Sequence, residues 1–283
     1  MIKVLQAGLY SSIQDLGRFG YRNYGVPVSG VMDAISAGFG NALLNNDKND
    51  AVLEITILGP KLAFTAATKF VLTGAEISPS LNQNPITNYK VYSVCAGDIL
   101  SFGKLVNGAR CYLAVINGFD SSTVLNSKSF YNGITLKGIL KKGDELLFNP
   151  NKEKNVEQVG ILKNKRQFYQ TSIIEVYRGP DLELFSTKEK EKLISTKYTI
   201  SKNINRMGYR LEEEVVVHNK SIITSPVIPG TVQIVPSGQL IVLMKDAQTT
   251  GGYPRVFQLT EKSISILAQK KAGDQFNFLL IPT

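Results

Sequence analysis

Leu53-Glu54-Ile55-Thr56-Ile57-Leu58-Gly59-Pro60-Lys61-Leu62-Ala63-Phe64 has a second version in the same chain, Ile174-Glu175-Val176-Tyr177-Arg178-Gly179-Pro180-Asp181-Leu182-Glu183-Leu184-Phe185. In each, a strand-like run carrying one glutamate meets Gly-Pro and resumes towards a phenylalanine. Gly-Pro bends a chain between strands, because proline lacks the ladder N–H and glycine tolerates any φ. A second pair follows in the same order: Ala96-Gly97-Asp98-Ile99-Leu100-Ser101-Phe102 and Ala272-Gly273-Asp274-Gln275-Phe276-Asn277-Phe278, each a Gly-Asp turn into a strand. Paired matches in one order predict two related β-barrel halves.

Working outward, short β-branched or aromatic runs recur every ten residues or so between Gly, Pro, Asn and Asp. They are Leu53 to Leu58, Lys61 to Phe64, Phe70 to Leu72, Tyr89 to Val94, Ile99 to Phe102 and Arg110 to Ile116. A second set comprises Val215 to Val217, Thr231 to Val235, Leu240 to Met244, Val256 to Leu259, Ile264 to Leu267 and Phe276 to Ile281. This spacing predicts a mainly β protein with closed or nearly closed barrels and a few short helices. One helix is expected from Ser29 or Asp33 to about Leu44, with Gly38 and Gly40 allowing close approach to a sheet, and another after Ser186, where Glu189 completes a capping box. The polar, aperiodic stretch near 151–165 is the expected linker between halves at 1–150 and 166–283.

At 283 residues and 43% hydrophobic, the chain suits two domains with sizeable cores. No apolar run approaches the roughly 20 residues of a spanning helix, and the N-terminus lacks an apolar leader core, so a cytoplasmic location is expected. Cys95 and Cys111 lie in strand-like runs and are expected to be buried, reduced thiols. The net charge of +9 gathers in Lys152 to Arg166 and Lys188 to Lys197, among glutamates and with few aromatics, which argues against a nucleic-acid partner.

Three clusters carry chemistry. Asp246-Ala247-Gln248-Thr249-Thr250-Gly251-Gly252-Tyr253-Pro254-Arg255 follows an apolar strand and offers carboxylate, amide, hydroxyl, phenol and guanidinium groups to one small polar ligand, or else uses them to cap its own backbone. Gln14-Asp15-Leu16-Gly17-Arg18-Phe19-Gly20-Tyr21-Arg22 sets two guanidiniums to clamp an anion, or pairs Asp15 with Arg18. Ser201 to Leu211 places Arg206 and Arg210 about Gly208. The single histidine, His218, rules out a His-rich metal site, no Gly-x-Ser-x-Gly elbow accompanies it, and Gly138 to Gly143 continues into Asp144 rather than the Lys of a phosphate loop. Lys245 follows Leu243-Met244 as in a biotin attachment site, but Asp246 replaces the second Met, so an unmodified lysine is expected.

Gly8, Ile13 to Tyr21, Gly25-Val26-Pro27, Ser29 to Asp33, Leu53 to Thr56, Asn205 to Leu211 and Asp246 to Pro254 together resemble the family of the C subunit of bacterial 5-oxoprolinase, also known as the kinase-inhibitor antagonist or allophanate hydrolase subunit 2 family. The resemblance spans essentially the whole chain and implies two cyclophilin-like β-barrel halves, as in the carboxyltransferase domain of urea carboxylase. It further implies part of an enzyme that works with the A and B subunits to open 5-oxoproline to glutamate using ATP, bound somewhere in the complex. The alternatives are a component of a biotin-dependent carboxyltransferase and a non-enzymatic antagonist of a sensor-kinase inhibitor. On the enzyme reading, Arg18, Arg206 and Arg255 are expected to bind anions. Gln14, Gln248 and Tyr253 would orient the lactam, and Asp15 or Asp246 would move a proton. Ser225 to Gly230 and Glu212-Glu213-Glu214 depart from the family pattern, which bears on loop geometry there.

Overall fold

The computed structural model describes residues 1–149 and 169–282; the expected linker at 151–165 lies outside them. The chain divides into two compact units. One contains Met1–Arg18 and residues 29–149, the other Phe19–Val28 and residues 169–282.

The first unit runs β1 (Ile2–Gln6), β2 (Tyr10–Gln14), α1 (Ala34–Leu43), β3 (Val52–Thr56), β4 (Lys61–Phe64), β5 (Thr68–Glu76), β6 (Ser80–Leu81) and β7 (Asn84–Pro85). It continues through β8 (Val91–Val94), β9 (Ile99–Ser101), β10 (Asn107–Val115), β11 (Phe119–Asp120) and β12 (Glu145–Phe148). Two sheets result, in orders β11-β12-β1-β4-β9-β6-β7 and β2-β3-β10-β5-β8. Side chains alternate across each strand, so Leu53, Ile55, Phe70, Leu72, Cys111 and Leu113 meet Ile2, Val4, Leu62, Phe64 and Leu100 in one core between the sheets. One residue out of phase, Val52, Val71, Tyr112 and Ala114 cover the opposite face, beneath Ala37 and Leu44. Asp33 caps α1 by accepting from the N–H groups of Ile35 and Ser36. Gly40 permits the close approach, since a Cβ there would lie 3.2 Å from the Ala114 methyl, whereas Gly38 faces open space.

The second unit comprises β13 (Ile173–Arg178), α2 (Thr187–Ser195), β14 (Lys197–Ile204), β15 (Gly208–Glu214), β16 (Ser225–Pro226), β17 (Thr231–Ile234), β18 (Gln239–Leu243), β19 (Thr250–Gly251), β20 (Arg255–Leu259), α3 (Glu261–Ala268) and β21 (Gln275–Leu280). Seven strands close into a barrel, β13-β20-β17-β18-β15-β14-β21, sealed by parallel pairing of β21 with β13. Inside, Tyr198, Phe257, Phe276 and Phe278 pack in tilted and edge-to-face pairs at centroid distances of 5.1 to 6.1 Å. Each such ring contributes about 1.5–3 kcal/mol by leaving water. Among the described residues no helix is long and apolar enough to cross a membrane.

Several expectations need correction. Ile264 to Leu267 is not a strand but the middle of α3, capped by the Thr260 hydroxyl at Ser263 N–H. Its residues from Ser263 to Ala268 are all buried, so the helix shows no polar face to betray its period. Val215 to Val217 lies beyond the end of β15 and is held by the bond from Val215 N–H to the Gly238 carbonyl. Cys111 is buried, which pushes its thiol up to about 12, but Cys95 is exposed in a turn. After Gly179-Pro180 the second copy of the repeat makes a 3-10 turn, Leu182–Leu184, where the first makes β4. The bend itself requires glycine, because a Cβ on Gly179 would lie 2.2 Å from the Arg255 carbonyl oxygen.

The Gly-Asp device occurs three times. In Cys95 to Asp98, Lys141 to Asp144 and Lys271 to Asp274, glycine holds φ of 98°, 91° and 86°, and the aspartate accepts from the N–H three residues earlier at 2.7 to 2.9 Å. The middle one uses Gly143, the glycine that ends the phosphate-loop-like spacing. Hydrogen bonds from Cys95 N–H and the Asn82 amide hold the Asp98 carboxyl below the usual range. At Asp144 burial opposes ionisation, but bonds from Lys137 and Lys141 and their charges outweigh it. Both folded pKa values lie below the unfolded one, so this stabilisation is complete above about pH 5 and is lost as pH falls through the folded values. The double variant Asp98→Asn, Asp144→Asn is expected to flatten the acid limb of a melting-temperature profile between about pH 5 and 2, and an unaltered slope would refute the assignment.

Candidate functional site

Gln14, Asp15 and Arg18 belong to the first unit, and all three are buried. They sit where β2 leaves its sheet. The Asp15 carboxylate accepts from Gly17 N–H (2.9 Å), the Ser127 and Ser129 hydroxyls (2.7 and 2.6 Å) and Lys128 N–H (2.7 Å). Arg18 donates to the carbonyls of Val124 and Ser129, and Gln14 bridges Gly30 N–H to the Phe130 carbonyl. The three side chains thus hold residues 124–130 and Gly30 against β2. Ser127 and Ser129, half of the Asp15 shell, carried no signal in the sequence because their meaning depends on a partner over 110 residues away.

The other five expected residues, Arg206, Asp246, Gln248, Tyr253 and Arg255, lie in the second unit. Arg206 and Asp246 form a buried bidentate pair, Nε to Oδ2 at 2.7 Å and Nη2 to Oδ1 at 3.1 Å, and Asp246 N–H donates to the Arg206 carbonyl. Asn205 shapes the same turn by accepting from the N–H groups of Met207 and Gly208. Arg255 engages Asp181, Nε to Oδ2 at 2.7 Å, and donates to the Pro226 carbonyl. Burial works against the Asp181 charge, but Arg255 hydrogen bonds and charge hold its carboxyl below the usual range. Both arginines therefore already carry a carboxylate partner.

Between them, on the outside of the barrel, is a cleft of ≈490 Å³. Its floor follows from strand alternation. Tyr209, Leu211 and Val242 point inward, leaving Gly208, Arg210, Ile241 and Leu243 outside. Gln248 and Tyr253 from the 246–255 loop form one side, and Lys202 and Asn203 the other. Gln233 is buried beneath the loop and donates to the Tyr253 carbonyl; a Cβ on Gly251 would lie 2.5 Å from its amide nitrogen and displace it. Arg210 donates to the Gln239 amide oxygen at 3.2 Å and, like Lys202, meets no carboxylate within 4 Å among the described residues. The cleft thus offers two cations without a carboxylate partner, several amides, a phenol and an apolar floor. Such a lining suits a small anion bearing an amide. The alternation in Met207-Gly208-Tyr209-Arg210-Leu211 is the signal that marks Arg210 as outward-facing. Lys245, by contrast, is buried, 3.8 Å from the Glu261 carboxylate.

Comparison with known proteins agrees with this architecture. Residues 24–280 match the family described as carboxyltransferase domain, subdomain A and B. The chain is 33% identical to the C subunit of Escherichia coli 5-oxoprolinase, covering 99% of this chain and 91% of that protein. It is 34% identical to Saccharomyces cerevisiae urea amidolyase over 74% of this chain and 12% of that protein. Among solved structures, TTHA0988 superimposes with a TM-score of 0.86 at 26% identity, and K. lactis urea amidolyase with 0.85 at 28%. The chain spans 56% of the former and 19% of the latter. Sequence and fold together make this chain a member of the carboxyltransferase domain, subdomain A and B, family.

Proposed function

We propose that this chain is the C subunit of an ATP-dependent 5-oxoprolinase, a hydrolase that it forms with the A and B subunits. The observation that carries the reading is the match to a relative bearing that name, 33% identical over 99% of this chain, where yeast urea amidolyase matches 74% of it. The cleft chemistry supports it. 5-Oxoproline is a carboxylate joined to an amide in one small ring, and the cleft sets Arg210 and Lys202 beside Gln248, Tyr253 and an apolar floor.

On this reading Arg210 and Lys202 hold the carboxylate, while Gln248 and the Tyr253 phenol orient the lactam. An unstrained lactam is a poor electrophile. Transfer of the terminal phosphoryl group of ATP to its oxygen makes the ring carbon attackable; one water opens the C–N bond and a second takes the phosphoryl group, giving glutamate, ADP and phosphate. The nucleotide is bound by the complex, and the role of this chain is to hold substrate. Arg206 and Asp246 serve as a positioning pair at the root of the loop. A second reading, carboxyl transfer within a biotin-dependent complex, draws on the family description and the urea amidolyase relatives. There Lys245, being buried, is not the point of biotin attachment.

Glutamate release from 5-oxoproline by the three subunits, with and without ATP and with this chain omitted, tests the proposal. Activity requiring both is expected; carboxylation of an amide instead, or association with a kinase inhibitor without turnover, would overturn it. Within an active complex, Arg210→Gln and Gln248→Ala are expected to lower kcat/KM about 10- to 100-fold without shifting the melting temperature. Asp15→Asn should lose about 3 kcal/mol of stability in urea unfolding, because donors around Asp15 lose a charged acceptor. Asp246→Ala strands the buried Arg206 guanidinium and should destabilise by about 3–5 kcal/mol, so its activity reports folding as well as chemistry.

A further inference from the structure

The segment Phe19–Val28 belongs to the second unit although Arg18 and Ser29 on either side belong to the first. It forms a strap with a stiff centre. Arg22–Tyr24 is a 3-10 turn, Gly25 at φ 78° donates to the Arg22 carbonyl, and the Tyr21 carbonyl accepts from Tyr24 and Val26. From this base the half-buried Arg22 guanidinium donates to the Thr249 carbonyl at 3.3 Å, its one hydrogen bond among the described residues.

Thr249 follows Gln248 in the cleft wall, which is pinned at its ends by the Arg206–Asp246 and Asp181–Arg255 pairs and beyond Gly251 by bonds to the Gly252 and Tyr253 carbonyls. The Thr249 carbonyl also accepts from Val227 N–H, and Thr250 and Gly251 pair with Pro226 and Ser225. Those braces all come from one short segment, 225–227, which is itself held by a two-stranded pair, by Arg255 at the Pro226 carbonyl and by burial of Val227 against Leu243 and Ala247. Gly251-Gly252 adds backbone freedom just beyond. A charged donor from a stiff turn outside both segments supplies a further anchor. It also adds a permanent positive charge next to a cleft that already holds Lys202 and Arg210.

We propose that Arg22 is a positioning residue for the cleft: through the Thr249 carbonyl it fixes the Gln248 wall and strengthens selection for an anionic substrate. The ligand class rests on the function proposed above; the bracing of the wall does not. The test has two arms. In the complex with the A and B subunits, Arg22→Gln is expected to raise KM for 5-oxoproline about tenfold with a smaller change in kcat, and Arg22→Lys, which restores charge and a donor, to recover most of it. In the free chain, without substrate or partners, amide exchange at 246–252 is expected to speed up in Arg22→Gln, while the rest of the second unit and the melting temperature stay unchanged. Unaltered KM together with unaltered exchange at 246–252 would overturn the proposal. Faster exchange throughout the second unit, with Gln and Lys variants equally impaired, would overturn it in favour of a general folding role. If the wild-type complex releases no glutamate, the functional reading fails and the exchange arm alone decides Arg22.

Discussion

The buried pair between Arg206 and Asp246 fixes where everything else at the cleft can be. Two charges withdrawn from water are costly unless geometry is near ideal, and here both carboxylate oxygens and the Asp246 backbone N–H are matched. One partner sits in the turn between β14 and β15, the other at the exit of β18. Joining them locks the floor strands to the first residue of the wall. The Asp181–Arg255 pair does the same at the far end, where β20 begins. The 246–255 loop is thus clamped at both ends.

Strand periodicity, Gly-Pro bends and Gly-Asp turns made the β architecture legible because they depend on neighbouring residues alone. The helix α3 was not legible: buried from Ser263 to Ala268, that stretch has no exposed polar stripe, and four apolar-rich residues read equally well as a strand. Nor was β2, whose Ser11, Ser12 and Gln14 are polar yet buried. The Gln14 amide is satisfied by distant segments that a local pattern cannot name.

The same asymmetry governs the candidate site. Residue type singled out arginines and aspartates correctly as charge-bearing groups, but whether a guanidinium is free for a ligand depends on what it already holds. Arg206 and Arg255 hold carboxylates and Arg18 holds carbonyls; Arg210, one strand position from the buried Tyr209, faces the cleft with the Gln239 amide but no carboxylate within 4 Å among the described residues. Alternation within Asn205 to Leu211 contained that information. The Asp181 partnership did not, since Asp181 and Arg255 lie 74 residues apart.

The strap gives the second unit an unusual history during synthesis. Arg22 leaves the ribosome 227 residues ahead of the Thr249 carbonyl it will hold. By then the segments of the first unit are made and free to fold as a domain, N-terminal part first. The strap must therefore wait until almost all of these residues have been translated, and its Phe19 and Tyr24 stay exposed even in the folded chain. A C-terminal fragment carrying all the barrel strands would lack it, and with it the Arg22 bond to the Thr249 carbonyl. The boundary between the units in space is thus not a place where the gene can be cut.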